Sequence, residues 1–393
     1  SASLVGSEMC IRDRTIMLIF VFVKQSVNTM SVNKNNYCLI LAGGKGRRLW
    51  PCSREDRPKQ FLDFFSTGRT LLQQTYDRMA GFIPSENIYI STNHIYHDLV
   101  REQLPELPEE HILSEPIFRN TAPSVAWATY RILHRADRDA RLVVVPSDQA
   151  VFKEDVFKTD VINGLDFVGS HDCLLTMGVR PTRPEPGYGY IQTGEPSERD
   201  DVFKVKSFTE KPDRDFARMF MESGEFYWNT GLFLSNVNYL CECLKRIFPP
   251  VLRKLEASGA EYSMERELEF VRENFPSYPN LSIDYGILEH NENVYVMICD
   301  FGWADLGMWH SIYESMSKGE GDNVVIGSRV IADDSRNNII KLPDDHMGII
   351  NGLDGYIVAE KGNVLLICKK EDSSALIRKY INEVQVKYGD EFI

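Results

Sequence analysis

Long apolar runs are missing from this 393-residue chain. The one extended run near its start, Ile16–Val23 (IMLIFVFV), has eight residues, whereas a membrane-spanning helix needs about 20. No small-x-small cleavage site follows that run, so it is not expected to be a secretory leader. Paired cysteines are missing too. Eight cysteines are spread along the chain without a C-x-x-C pair, and Cys241 and Cys243 are separated by a single residue. On a helix that spacing points them to different faces, which argues against a zinc site or a disulfide framework and for a reducing compartment. Positive charge is scarce. There are 44 Lys and Arg against 57 Asp and Glu, a net charge of −13. Such a chain is a poor general binder of nucleic acid, so any phosphate recognition must come from a local cluster. Two glycine signatures are also absent. The P-loop requires Lys-Ser or Lys-Thr after its last glycine, where this chain has Arg47. The dinucleotide fingerprint requires a third glycine where Leu49 stands.

What is present is a concentrated phosphate signal. Residues 39–61 read LILAGGKGRRLWPCSREDRPKQF. A short apolar run, Tyr37–Ala42, predicts a buried strand. Gly43-Gly44-Lys45-Gly46 then allows a sharp turn and close backbone approach to a ligand, and its N–H groups can cup an anion. Arg47, Arg48 and Lys59 supply cations, with Lys59 expected on an exposed loop. A strand, a glycine turn and clustered cations are what polyphosphate binding requires.

GGxGxRLWP followed by RPKQF resembles the sugar-nucleotide pyrophosphorylases (nucleotidyltransferases), and within them the mannose-1-phosphate guanylyltransferases. The Trp50-Pro51 pair and the Gln60-Phe61 ending favour the mannose-type, guanylyl branch. The resemblance runs from about Tyr37 to about Ser317. It implies that Lys59 and Arg48 are catalytic, Lys59 by stabilising charge that develops at the α-phosphate. It also implies that Leu41, Ala42, Gly43, Gly44, Lys45, Gly46 and Arg47, with Pro146 and Ser147, line the nucleotide.

With 43% hydrophobic and 26% charged residues, usage is ordinary for a globular chain of one large and one smaller domain. Residues 1–29 stand apart. The string SLVGSEMCIRDR reads as a translated sequencing adapter, and a natural start at Met30 is expected. From there apolar strands alternate with helical patterns: NIYIS, then HIYHDLVREQL, a short strand at Ile112–Pro116, a helix over Ala122–Arg138, and the apolar RLVVVP of Arg141–Pro146. Alternation of this kind predicts a Rossmann-like α/β fold with a mixed, mainly parallel sheet and helices on both faces. Ligands then gather beyond the carboxyl ends of the strands. Helices are expected at 213–223 and 235–247 around a strand at 229–234, and partly irregular helix at 249–280. From Gly321 the pattern changes to short strands between Asn, Asp and Gly turns, with no clean hexapeptide repeat. The expected division is therefore a catalytic domain at 30–320 and a small β-rich region at 321–393 ending in a helix. The resemblance implies that this tail is left-handed β-helix-like, and no fused isomerase module is expected.

Asp148 follows a buried strand in VVVPSDQAV, where it reads either as a helix cap or as an oxygen ligand for a hard cation. The resemblance pairs it with Asp305 of DFGWADLGMW as joint ligands of Mg²⁺, framed by Trp303, Gly307 and Trp309, with Asp300 the second choice. Gln149 stands where the family usually has His. Glu115, Asn120, Thr121 and Ala122 resemble the guanine-binding segment; Glu115 would face the N1/N2 edge, and Asn120-Thr121 also fit plain helix capping. The sugar phosphate side rests on GYGY at Gly187–Tyr190, FTEKP at Phe208–Pro212 and WNTGLF at Trp228–Phe233. These resemblances nominate Tyr188, Gly189, Glu210, Lys211, Asn229 and Gly231, with Asp284 and Glu289 from SIDYGILE shaping the pocket.

The implied reaction is in-line transfer from GTP to mannose 1-phosphate in the cytoplasm, with no nucleic-acid or membrane partner and a possible homodimer through the tail. Two alternatives stay open: a guanylyltransferase for heptose or fucose 1-phosphate, and a silent nucleotide-sugar-binding regulatory subunit.

Overall fold

The computed structural model describes residues 33–136, 139–247 and 263–393. The expectations for residues 1–29, and the first half of 249–280, lie outside the described residues.

The apolar run Asn36–Leu41 forms β1 at the heart of a nine-stranded sheet. Its side chains alternate between faces, as a strand requires. Cys38 and Ile40 enter one hydrophobic core and Leu39 the other, all fully buried. A strand buried on both faces reads as a continuous apolar run, which makes β1 legible in sequence. β2 (Ile88–Asn93), β3 (Ile112–Glu115) and β4 (Arg141–Pro146) join it in parallel, in the order β3-β2-β1-β4.

Beyond β4 the sheet departs from the expected mainly parallel arrangement. After the short β5 (Gln149–Val151) come β6 (Leu174–Val179), β7 (Gly189–Pro196), β8 (Val202–Glu210), β9 (Phe226–Asn236) and β10 (Val294–Cys299). β9 lies antiparallel between β4 and β6, and β10 is parallel to β6. β7 and β8 are joined by a short turn, and strands so joined must run antiparallel. β9 is also longer than the strand expected at 229–234, because Phe226, Tyr227 and Trp228 pair with β7 and Ser235 and Asn236 with the neighbouring strands, on either side of a bulge where Gly231 takes φ +75°.

Local signals start the helices where they occur. Thr70 caps the helix Leu71–Ala80 in a reciprocal capping box with Gln73. Asn120 caps the helix Thr121–Arg135, whose third residue is Pro123. β11 (Trp303–Asp305) pairs antiparallel with β5, and the helix Trp309–Met316 follows.

The C-terminal region stacks β12 (Val324–Ile326), β14 (Ile339–Lys341) and β16 (Tyr356–Lys361) in parallel, closed by antiparallel β17 (Val364–Lys369). A second parallel pair, β13 (Arg329–Asp333) and β15 (Met347–Asn351), lies between these turns. The expected last helix is present at Ser373–Tyr388. This region shares a core with the segment after the glycine turn. Leu49, Trp50 and Phe64 pack with Leu306 and Trp309, with Ile339 and Ile357, and with Ile377 of the last helix. Trp50 Nε1 donates to the carbonyl of Phe392 (2.8 Å), and Arg54 to that of Lys361 (2.9 Å).

Candidate functional site

The glycine turn leaves the carboxyl end of β1 and is pinned on both sides. Gln60 Nε2 donates to the carbonyls of Ala42 (2.9 Å) and Gly44 (2.8 Å), tying the lysine segment across the turn. Ser147 N donates to Leu41 O (3.1 Å), joining the end of β4, with Pro146, to β1. Gly46 sits at φ +62°, and a side chain there would collide with Ser53 Oγ. Only glycine relieves both demands. Gly43 lies against the backbone of Thr92 and Asn93.

Lys59 corrects an expectation. It is not on an exposed loop but 5% exposed, in a turn of 3-10 helix after Pro58, with its amide held by Ser53 Oγ. Its ammonium pairs directly with Asp148. The β5–β11 pairing sets Asp305 opposite Gln149, and Leu306 N donates to Asp148 O (3.3 Å), so the two aspartates become neighbours. A methyl group added at Gly307 would lie 2.8 Å from Asp305 Oδ1, 2.9 Å from Arg48 Nη2 and 3.0 Å from Lys59 Nζ. These side chains therefore converge on one spot. Burial raises the Asp305 pKa, Lys59 and Arg48 oppose the rise, Asp148 adds to it, and Gly307 N donates to its Oδ1.

Two neighbouring carboxylates with cations beside them form an oxygen-only donor set. That suits Mg²⁺, which takes one or two carboxylates and fills its other positions with phosphates and water. Among the described residues no cluster of three or more His, Cys, Asp or Glu fit for a metal occurs. Asp300 is elsewhere: it is exposed and paired with Lys153 (2.7 Å). Gln149 donates to Thr230 O (2.5 Å), fixing β5 against the segment that carries Asn229 and Gly231.

The remaining loop cations are not free arms. Lys45 pairs with Glu55 (3.2 Å) and lies over the Phe118 ring, and Arg47 pairs with the same carboxylate. Glu55 is held below the ordinary carboxylate range by these two partners, against its desolvation.

Glu115 is buried at the end of β3, accepting from Ser91 (2.6 Å) and Ser124 (2.5 Å). Burial outweighs both hydrogen bonds and pushes its pKa up to about 7. A raised folded-state value means stability is fully present below the unfolded pKa and is lost as pH rises through about 7. Glu115→Gln should therefore flatten the fall in Tm between pH 5 and 8, by on the order of 3 kcal/mol in unfolding free energy. An unchanged pH profile in calorimetric melts would reject this. Asn120 caps its helix by accepting from Thr121 N, Thr121 Oγ1 accepts from Ile283 N, and Ala122 N donates to Leu281 O. The capping reading is thus observed for Asn120, while Thr121 ties the helix start to the 281–283 segment.

On the sugar side, Asn229 is the hub. Its Nδ2 donates to Asp284 Oδ1 (2.8 Å), and its Oδ1 accepts from Thr176 Oγ1 (2.9 Å) and Gly231 N (3.2 Å). Burial, then the nearby Glu210 charge, raises the Asp284 pKa, and burial raises that of Glu289. Glu210 pairs with Lys211 and flanks Gly189, and Lys211 N donates to Tyr188 O (3.2 Å). Lys211 adopts φ +48°, a strained conformation that aims this segment.

Sequence reasoning misses several participants. Gln60 reads there only as part of a motif ending, and Glu55 and Ser53 carry no signal at all. Asn93 is fully buried beside Gly43, and its Nδ2 has no partner among the described residues. The signal for it is the polar end, Ser91-Thr92-Asn93, of a strand that starts apolar.

Comparison with known proteins agrees with this geometry. A family model described as nucleotidyl transferase matches residues 37–322. A mannose-1-phosphate guanylyltransferase of Salmonella muenchen is 35% identical over 90% of this chain and 74% of its own length. One of Escherichia coli K12 is 35% identical over 84% and 70%. A crystal structure described as mannose-1-phosphate geranyltransferase from Thermus thermophilus superposes with a TM-score of 0.78 at 31% identity, over 89% of this chain and 99% of that one. The chain belongs to the nucleotidyl transferase family, in its mannose-1-phosphate guanylyltransferase branch.

Proposed function

We propose that this protein transfers the GMP unit of GTP to α-D-mannose 1-phosphate, forming GDP-mannose and releasing pyrophosphate. The observation that carries this reading is the convergence of Arg48, Lys59, Asp148 and Asp305 beside the glycine turn, with the Asn229–Asp284–Glu210 group adjacent.

The sugar phosphate oxygen attacks the α-phosphorus in line, and pyrophosphate leaves toward Gly43–Gly46. Such transfer needs alignment and charge neutralisation more than covalent help. Lys59 and Arg48 neutralise charge at the reacting phosphate, in a site preorganised by Ser53 and Gln60. Lys45 and Arg47 exchange Glu55 for phosphate oxygens when the triphosphate enters. Asp148 and Asp305 would hold Mg²⁺, which would supply positive charge to offset that of the phosphates. Glu115 and the Asn120–Ala122 segment meet the guanine. Gly189, Glu210, Asn229 and Asp284 accept the hexose hydroxyls, and Lys211 meets the sugar phosphate.

Glu210→Ala should raise the KM for mannose 1-phosphate about tenfold or more, with little change in the KM for GTP. An unchanged sugar KM in steady-state assays would reject this role. The reaction itself is tested by measuring pyrophosphate release with Mg²⁺, crossing GTP, ATP, UTP and dTTP against mannose, glucose and fucose 1-phosphates. Release confined to GTP with mannose 1-phosphate supports both halves of the assignment. Release with another pair moves the specificity, and none from folded protein points to a binding subunit.

The catalytic part is assigned to residues 30–320, and the stacked parallel turns of 321–393 are read as a short left-handed β-helix. Among the described residues no helix is long and apolar enough to cross a membrane. The described cysteines are buried free thiols, which supports a reducing, cytoplasmic setting. A homodimer through the tail is supported by a row of exposed apolar side chains, Ile331, Met347 and Ile349, on β13 and β15. Sedimentation as a monomer at micromolar concentration would exclude it.

A further inference from the structure

A second cavity, of about 680 Å³, takes Tyr188 into its lining, so the side chain nominated for the sugar phosphate stands here instead, its hydroxyl donating to Ser311 Oγ (3.0 Å). Trp228 lines it, and Asn229, the next residue on β9, points to the opposite face of the sheet. Its volume is that of a small-molecule site. Three aromatic residues form one wall. The Tyr188 ring lies 5.1 Å from both Trp228 and Trp303, edge-on to each. The Arg183 guanidinium sits 5.1 Å over Trp228, and Glu185 anchors it at 3.3 Å. Arg180 adds a second, exposed cation over Tyr227. The helix Trp309–Met316 supplies Ser311, Glu314 and Ser315 as polar lining. The one further acid in the lining, Asp300, is already paired with Lys153.

Two indole donors are sealed behind this wall without an acceptor. Trp228 is 4% exposed, Trp303 is half-buried, and neither indole Nε1 has a partner among the described residues. Buried N–H groups are rarely left so. The cavity thus combines guanidinium cations, aromatic faces and a carboxylate able to accept from hydroxyls. Inorganic phosphate uses only the first of these; a phosphorylated sugar uses them all.

We propose that this cavity is an effector site for a phosphorylated sugar, with its phosphate on Arg180 and Arg183, its ring against Trp228 and Trp303, and its hydroxyls toward Glu314. Such a site is additional to the proposed reaction. Each aromatic wall residue adjoins the reaction site in sequence. Tyr188 precedes Gly189, Trp228 precedes Asn229, and Trp303 lies two residues before Asp305 on β11. An occupant that moves these rings shifts the backbone of the catalytic segments, and coupling of that kind is reciprocal between the two sites.

The chemistry has two sources, a free hexose phosphate or the ribose phosphate of a nucleotide. The full chain is titrated calorimetrically with mannose 6-phosphate, GDP and inorganic phosphate, alongside Arg180→Gln and Ser315→Trp. The first substitution removes a rim cation, and the second fills the cavity from its helix. The expected result is a binding component, with mannose 6-phosphate or with GDP, that weakens at least tenfold in both variants. The same probe should change the plateau rate of pyrophosphate release at saturating substrates at least twofold in the native protein and not in the variants. Binding equal in native and variant proteins overturns the site. Inorganic phosphate binding as tightly as the sugar probes overturns the role of the ring. A variant-sensitive component that leaves the plateau rate unchanged overturns the effector role. Each failure is distinguishable from failure of the reaction itself, because binding is read without turnover.

Discussion

Lys59→Ala should lower kcat by about 10²- to 10³-fold, the loss seen when one preorganised charge-stabilising donor is removed. It should also destabilise the fold. Lys59 is buried and is the direct partner of Asp148, and its charge opposes the rise in the Asp305 pKa. Removing the cation leaves two neighbouring carboxylates short of compensation. Breaking a buried pair typically costs about 3–5 kcal/mol, and the partial exposure of Asp148 places the effect at the low end of that range. Pyrophosphate release and thermal melts of the variant check both parts. Full stability at neutral pH would mean that Lys59 is a mobile arm after all. Turnover within threefold of native would remove it from the reaction.

Asp305→Asn should be equally inactive yet more stable. The Asp305 pKa is raised chiefly by burial and also by Asp148. A raised folded-state value means that the group's stability contribution is present below the unfolded pKa and lost as pH rises through the folded one. At neutral pH the native protein therefore holds a carboxylate at a cost, and the amide removes it. The Tm of the variant should exceed that of the native protein at pH 7, and the gap should close as pH falls below about 4. Activity should fall at least 10²-fold, and added Mg²⁺ should no longer raise the Tm. A variant less stable at pH 7, or one that keeps its response to Mg²⁺, would reassign the ligand. Lys59→Ala and Asp305→Asn thus move stability in opposite directions while both abolish turnover. That pattern marks charges placed for reaction at the expense of the fold.

Much of this is legible in sequence because it is periodic or local. β1 and β4 are unbroken apolar runs, and such runs announce strands buried on both faces. Gly46 and Thr70 carry their conformational reasons with them. What is not legible depends on pairing across distance. The antiparallel insertion of β9 cannot be read from its own residues, since register is a property of two strands. The burial of Lys59 escapes for the same reason. Its surroundings, RPKQF, look solvated until Asp148 and Gly307, far along the chain, close over it. Glu55 is invisible as a partner because an acidic residue in a basic loop has no periodic signature.

The bond from Trp50 to Phe392 spans 342 residues. It follows directly on the glycine turn, and the core around Trp50 is completed by the last helix. During synthesis, β1 and the turn emerge early, yet the surface on which Trp50 rests is made only when the C-terminal turns have been translated. Contacts this remote in sequence form late, since their loop closure has the largest entropy to overcome. A nascent chain therefore carries the glycine turn and its own ties through Gln60 and Ser147 before the support beneath Trp50 exists. A chain truncated before the C-terminal region should lack pyrophosphate-releasing activity, and full activity from residues 30–320 alone would overturn this.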